Sequence, residues 1–370
     1  MGKIWTPENA GKVIPAVRVR PLVATSEVGV RVRPQHLHWQ LGRYVEDLSF
    51  GPGGRGRRKR WMVVKEAEQH NVVLNQTYDF IPVHGFLGLH RYAAVGTGST
   101  PPSPTQTGLV NEVARTIRDN NNNTTGTQTR TRVAEGVYDI TVVREFTETE
   151  VGNRNLTEWG FSPSGTAGAN LMSRELFRDG NGTPIVITPA ADQRLRLFYA
   201  IRVSLSPVPS NPANATIDIQ GLGTFAGKAF ISVYDDYTGD RYGGDLLLAN
   251  LWVLRHANSG YGEGLVIYPL SSYTAPNYNA QVGPWSSKPS LGRVGSSSLY
   301  TLGTGFVELG PMTYGTTDAN TTWYGVSVIR YSSGQYHAGA FVFAFNQGVS
   351  FAKTDLYRLT IGKWKLTWGL

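Results

Sequence analysis

The sequence contains no cysteine. Disulfide bridges, thiolate-ligated metals and a cysteine nucleophile are therefore excluded. Charge is scarce as well, at 17% of residues. No apolar run approaches the roughly 18–20 residues that a membrane-spanning helix needs. Met1–Trp5 lacks the long apolar core of a secretory leader. The expectation is a protein made in a cytoplasm, soluble until it joins something larger, with no membrane span. Catalytic signatures are missing too. There is no H-E-x-x-H and no G-x-S-x-G, so the reading is not an enzyme, with no catalytic residues and no cofactor.

What the chain does hold is turn formers and rings. Its 370 residues include 43 Gly, 20 Pro, 18 Tyr and 9 Trp. Many turns, many aromatics and few strong helix formers point to a mainly β protein. The length leaves room for two domains. The expected architecture is two β-sandwich-like domains, with one short helix in the first, preceded by an extended basic N-terminal arm. The boundaries read as an arm over 1–65, a β-rich module over 66–206, a proline-rich linker over 207–214 and a β-rich domain over 215–370.

The arm rests on charge and proline. Residues 1–65 carry 13 Lys/Arg against 4 Asp/Glu, a balance of +9 in a chain whose total is +8. Pro7, Pro15, Pro21 and Pro34 favour extended backbone. The basic run Arg55, Arg57, Arg58, Lys59 and Arg60 reads as a contact for a partner protein. A nucleic-acid partner is disfavoured, since no recognised nucleic-acid fold follows the run.

Several segments are more specific. Thr107–Arg118 places Leu109, Val113 and Ile117 at i, i+4 and i+8, the spacing of a short amphipathic helix. Residues 194–205 alternate strictly: Leu195, Leu197, Tyr199, Ile201, Val203 and Leu205 face one way, and Arg194, Arg196 and Arg202 the other. Tyr138, Ile140 and Val142 repeat the pattern. Strands are also expected over 323–331, 337–346 and 356–368.

Four stretches invite chemistry. Gly96-Thr97-Gly98-Ser99-Thr100 has the look of a phosphate loop, but no Lys follows its second Gly and two prolines stand where a helix would start, so it reads as a turn. His36 and His38 form an HxH pair, which on a strand would put both rings on one face as metal ligands need, although surface histidines are the commoner case; Asp235–Asp240 is acidic and turn-like but lacks the spaced carboxylates and closing Glu of an EF-hand loop, and the expectation is no metal. The loops of the last domain are rich in rings, among them Tyr273, Tyr278 and Trp285. These are candidates for a receptor or subunit interface.

The run Gly96–Ser99, then Leu109–Arg115, Asn155–Phe161 and Leu171–Leu176, resembles a module of tailed-bacteriophage tail and fibre-associated virion proteins. The ending from Lys353 through Trp364 to Trp368-Gly369 resembles the final strand of phage fibre-like proteins. Together these cover about a third of the chain. The resemblance implies a virion structural protein of the tail, neck or fibre attachment. It would assemble in the host cytoplasm as a homo-oligomer, trimer or hexamer, and dock other virion proteins. The alternatives are a fibre component that binds a host-surface glycan and a capsid decoration protein on the capsid surface.

Overall fold

The computed structural model describes residues 17–18, 29–47, 59–219, 222–232, 264–276, 301–309, 312–332, 335–361 and 364–369. It is mainly β, with antiparallel sheets and two helices among the described residues. The chain divides into two compact units. One is Val30–Ser204 with Thr301–Gly305 and Trp368–Leu370; the other is Met1–Gly29, Leu205–Tyr300 and Phe306–Thr367.

The first unit holds β1 (Gly29–Glu46), β2 (Lys59–Gln69), β3 (Val72–Val73), α1 (Thr77–Gly88), β4 (Tyr92–Gly96), β5 (Glu112–Thr116), β6 (Thr129–Ala134), β7 (Val137–Phe146), α2 (Glu148–Val151), β8 (Glu158–Ser162), β9 (Ser173–Leu176) and β10 (Arg194–Ser206). One sheet runs β2-β1-β10-β7-β6; the other runs β3-β9-β8-β4-β5. β10 is the strand that alternation predicts. Leu195, Leu197, Tyr199, Ile201, Val203 and Leu205 are all buried. It pairs antiparallel with β7 from Leu195↔Phe146 to Ser204↔Val137, which puts Ile201 opposite Ile140 and Val203 opposite Tyr138. Leu37, Trp39 and Leu41 of β1 are also buried. The second sheet meets this layer through rings: Phe161 stacks on Tyr199 at 4.4 Å, and Trp159 meets Tyr199 edge-on at 6.1 Å. The Tyr199 hydroxyl accepts from Asn71 at 2.7 Å, so the buried polar tip of the ring is satisfied.

Two expectations are corrected here. Residues 29–46 and 59–65 are not an arm. They belong to β1 and β2, and β1 lies between β2 and β10. The alternation of apolar and polar residues in Leu37-His38-Trp39-Gln40-Leu41 is that of a half-buried strand, and its apolar side joins the core. Nor is Thr107–Arg118 a helix. Glu112–Thr116 is β5, paired with β4 through Ala93↔Thr116, Ala94↔Arg115 and Val95↔Ala114. The open edge of β4 offers backbone partners, and tertiary pairing overrides the weak helical spacing of a segment rich in Val, Thr and Ile. The helix lies instead at α1, which contains Pro82 and a kink at Gly85 (φ 65°). Nothing periodic announces it. Its start is tied down by Thr77, whose hydroxyl donates to Met172 O at 2.7 Å. Its first turn is met by the returning chain: Gly303 N donates to Asp79, and Trp368 Nε1 to Tyr78 O.

The second unit contributes β11 (Ala213–Ile219), β12 (Gly223–Ser232), β13 (Gly264–Pro269), β14 (Phe306–Leu309), β15 (Met312–Tyr314), β16 (Thr322–Trp323), β17 (Gly325–Ser332), β18 (Gln335–Phe345), β19 (Phe351–Ala352), β20 (Leu359–Ile361) and β21 (Trp364–Gly369). Its main sheet runs β11-β12-β18-β17-β13, antiparallel throughout. β20 pairs with β15 and, in parallel, with Val17–Arg18. A ring cluster of Phe225, Phe345, Phe351, Trp323 and Tyr314 packs beside the main sheet, with centroids 5.1–5.5 Å apart along the chain of contacts. The proline-rich segment is tied in: Ile231 N donates to Pro207 O, and Val208 bridges Asn211.

Two buried basic side chains sit in the first unit without a carboxylate bonded to them. Arg144 is fully buried and donates to the carbonyls of Arg91 (2.6 Å), Thr127 (3.0 Å) and Val143 (2.8 Å). His90 is fully buried, contacts Ile140 O through Nε2 at 3.1 Å and meets Tyr199 edge-on. Burial, then the charge of Arg144, push the His90 imidazole down to about 3, against a weaker pull from the Ile140 carbonyl. The folded chain thus holds this ring neutral where the unfolded chain, at about 6.5, begins to take a proton. Between those values the unfolded state binds more protons, so stability is complete above about pH 6.5 and falls as pH drops toward 3, at up to ~1.4 kcal/mol per pH unit. Denaturant midpoints between pH 6.5 and 4 are expected to show this slope in the parent chain. In His90→Gln, which does not titrate, the slope is expected to be distinctly shallower.

Candidate functional site

β1 and β2 form a long antiparallel hairpin, paired from Leu37↔Gln69 to Glu46↔Lys59. Residues 48–58, which join them, carry most of the basic run. Arg55, Arg57 and Arg58 lie outside the described residues. Lys59 and Arg60 open β2, exposed, opposite Glu46 and Val45. β2 is the edge strand of its sheet among the described residues, and Val63, Val64 and Lys65 are exposed along it. The register shifts at Leu41/Gly42: Leu41 faces Lys65 and Gly42 faces Val63, leaving Val64 without an opposite number.

A charged and aromatic cluster holds the base of this hairpin. The Arg196 guanidinium lies 3.6 Å from the ring centre of Trp61. Its Nε donates to Glu145 at 2.6 Å and its Nη2 to the Tyr44 hydroxyl at 2.7 Å. Arg194 shares Glu145 at 2.8 Å and reaches Glu148 at 2.7 Å. A cation stacked on a Trp face and bonded to a nearly buried carboxylate is a strong local tie. Burial, then the Glu145 charge, raise the Tyr44 hydroxyl pKa, so that it stays a donor, held 3.1 Å from Asn120 O. Gly42 makes the packing feasible: a Cβ there would stand 2.5 Å from Trp61 Cζ2 and 2.6 Å from Met62 O.

The glycine-rich loop has a different occupant from the one its sequence suggests. Glu158, on the outer side of β8 and fully buried, sends its carboxylate into it. Gly98 N and Asn111 N each donate to Oε1 at 2.9 Å, and Val110 N donates to Oε2 at 3.1 Å. Arg174, also fully buried, closes on Oε2 through Nε (2.9 Å) and Nη2 (2.8 Å). Its remaining donors reach Gln106 Oε1 and Thr100 O. The amides that would cradle a phosphate are thus taken by the chain's own carboxylate, and the segment leaves β4 as irregular chain, with Thr97 N donating to Asn111 O at 3.0 Å. The glycines are required by crowding: a Cβ on Gly98 would lie 2.4 Å from Val110 Cβ and 2.5 Å from Glu158 Oε1. A small apolar cluster of Leu74, Ala94 and Leu171, with Val72 and Leu109 against it, accompanies the pair.

The other sequence candidates do not come together. His38 bonds Glu66 at 2.9 Å and stacks on Phe198 at 5.3 Å. The side chain of His36 lies outside the described residues, as does Asp235–Asp240. Among the described residues no group of three metal-ligating side chains occurs. Tyr273, after β13, is exposed, and Tyr278 and Trp285 lie outside the described residues. Sequence reasoning missed Glu158, Arg174, Glu145 and the role of Arg196. The usable signal was the row of arginines on the polar side of β10, which requires acidic or aromatic partners once that side is covered.

Removing one member of a buried pair strands the other. Glu158→Gln is expected to cost about 3–5 kcal/mol, read as a lowered denaturant midpoint, with faster amide exchange at Gly98, Val110 and Asn111. Glu158→Gln with Arg174→Met is expected to recover part of that loss. Additive losses would show that the pair is not the tie described. Compared with family models, curated proteins and solved structures, the chain finds no match in any of the three.

Proposed function

We propose that the chain is a non-enzymatic structural component of a tailed-bacteriophage virion. It serves as a tail, neck or fibre-attachment protein that forms a homo-oligomer and docks other virion proteins through the β1–β2 hairpin. The observation that carries this reading is the hairpin itself. A basic run joins its two strands, and its outer strand leaves an edge exposed. Edge strands offer rows of backbone donors and acceptors to another chain. The same sheet ends on its far side in β6, whose six residues are all exposed. Exposed edges of this kind suit head-to-tail association, which gives a ring where the rotation between copies closes. The described clusters of charge fit the reading, since they tie loops and strands to one another. The tail resemblance of Gly96–Ser99, Leu109–Arg115 and Asn155–Phe161 supplies the virion context.

Deleting residues 1–65 is not a clean test, because it removes β1 from the sheet. Replacing Arg55, Arg57, Arg58, Lys59 and Arg60 by Ser is. Lys59 and Arg60 are exposed, and changes at exposed positions shift stability by about 0.5 kcal/mol or less each. The variant is expected to keep the parental unfolding transition and to fail to enter particles, scored by its copy number in purified virions. Incorporation at the parental level would sink the docking role. DNA binding by the parent that the variant loses, with steep salt dependence, would favour nucleic acid as the partner. A second reading, a host receptor or glycan contact, is favoured by the exposed ring of Tyr273. It requires that Ala at Tyr273, Tyr278 and Trp285 weaken adsorption of fully assembled particles.

A further inference from the structure

In the second unit β16 and β19 pair antiparallel, with Thr322 opposite Ala352 and Trp323 opposite Phe351. The pairing continues one step, since Lys353 N donates to Thr321 O at 2.9 Å. Lys353 and Asn320 therefore emerge side by side from neighbouring strands. Lys353 is only 2% exposed. Its Nζ stands 2.7 Å from Asn320 Oδ1, with Thr354 O at 3.4 Å as a second neighbour. The Asn320 amide is held from its other end, where Nδ2 donates to Thr316 O at 2.8 Å. Trp323, stacked on Phe351 and edge-on to Tyr314, makes this strand pair apolar. Asp318 and Asp355 are the negative charges whose field reaches the amine, and the Asp318 carboxylate itself accepts from Gly315 N at 2.8 Å. Burial lowers the Lys353 pKa in spite of both, which enlarges the fraction of amine with a lone pair.

A buried amine fixed against a side-chain amide of the neighbouring segment is a reactive arrangement. We propose that Lys353 and Asn320 join in an intramolecular isopeptide bond. Rotation about the last bonds of Lys353 moves Nζ from the amide oxygen to its carbon. The lone pair attacks Cγ of Asn320, forming a C–N bond. The proton shed by Nζ passes to the amide nitrogen, which departs as ammonia as its own C–N bond breaks. Nothing is oxidised or reduced, and no co-reactant is consumed. Holding both partners in contact supplies the effective concentration that makes an otherwise slow aminolysis feasible. The product clips the 316–323 segment to β19 covalently. It does not depend on the virion reading.

The test is the intact mass of the purified full chain. The expected value lies below the sequence mass by one ammonia, and a tryptic digest yields a branched peptide joining Asn320 to Lys353, with no cleavage after Lys353. Asn320→Asp, which keeps the side-chain shape, is expected to lose one water instead. Lys353→Arg and Asn320→Ala are expected at full mass. Cyclisation of Asn181 onto Gly182 also expels ammonia, so the branched peptide decides the assignment. A parent chain that stays at its full sequence mass after prolonged incubation overturns the proposal, as does an ammonia loss that maps to Asn181.

Discussion

The first unit depends on the burial of Tyr199 between its two sheets. The ring stacks on Phe161, meets Trp159 and His90 on its edges, and keeps its hydroxyl bonded to Asn71. Burial pushes that hydroxyl up to about 12, so it remains a neutral phenol at neutral pH. Aromatic contacts of this geometry add to the area they bury. More important is that they have a direction. Only one separation and one register of the facing sheets lets Phe161 lie flat on Tyr199 while Trp159 stands edge-on. The alternation of β10 gives that direction its reach, because a slip of one residue would turn every apolar side chain of the strand outward.

Around that contact the polar groups follow one rule. Charges that leave water are spent on joining pieces of backbone. Glu158 and Arg174 tie the 97–111 loop to β8 and β9. Arg144 gathers the carbonyls of three residues from separate segments. Asp119 does the same for the asparagine-rich loop. Burial alone would raise its carboxyl, but bonds from Thr127, from Asn123 and from the backbone of Asn123 and Asn121 outweigh this and hold it at about 2. A loop that looks low in complexity is therefore organised by a single side chain. Such clusters add little net stability when complete, yet losing a member is costly. They specify which loop sits where.

Burial of one face made some strands legible but not all: β1 alternates in the same way, yet its charge and prolines pointed to an arm. β10 and β7 could be read from alternation, because burial on one side forces a period of two. The strand character of β5 was not legible. Leu109, Val113 and Ile117 fall at helical spacing, but Leu109 serves the outer cluster while Glu112–Thr116 pairs with β4, and no single segment's pattern records two destinations. α1 was hidden for the opposite reason: Pro82, Gly85 and Gly88 are breakers, and its start is supplied by Met172, remote in the chain. The site was less legible still. Composition placed the basic run, yet its attachment depends on Trp61 covering Arg196, a contact across 135 positions that nothing local encodes. The glycine loop reads as a turn in the sequence but is irregular chain after β4, and the carboxylate that fills it lies about 60 residues away.

The unmatched Val64 has a consequence for the hairpin as a whole. Pairing is counted from Gln69 up to that residue and recounted beyond it, so Lys59–Val63 stand one step out of phase with Lys65–Gln69 relative to β1. Which side of the ribbon Lys59 and Arg60 address is thus decided by a single inserted residue. The bulge works as a phase setter: adding or removing one residue between Trp61 and Lys65 would turn the basic entrance of β2 to the opposite side, with no change in composition or charge.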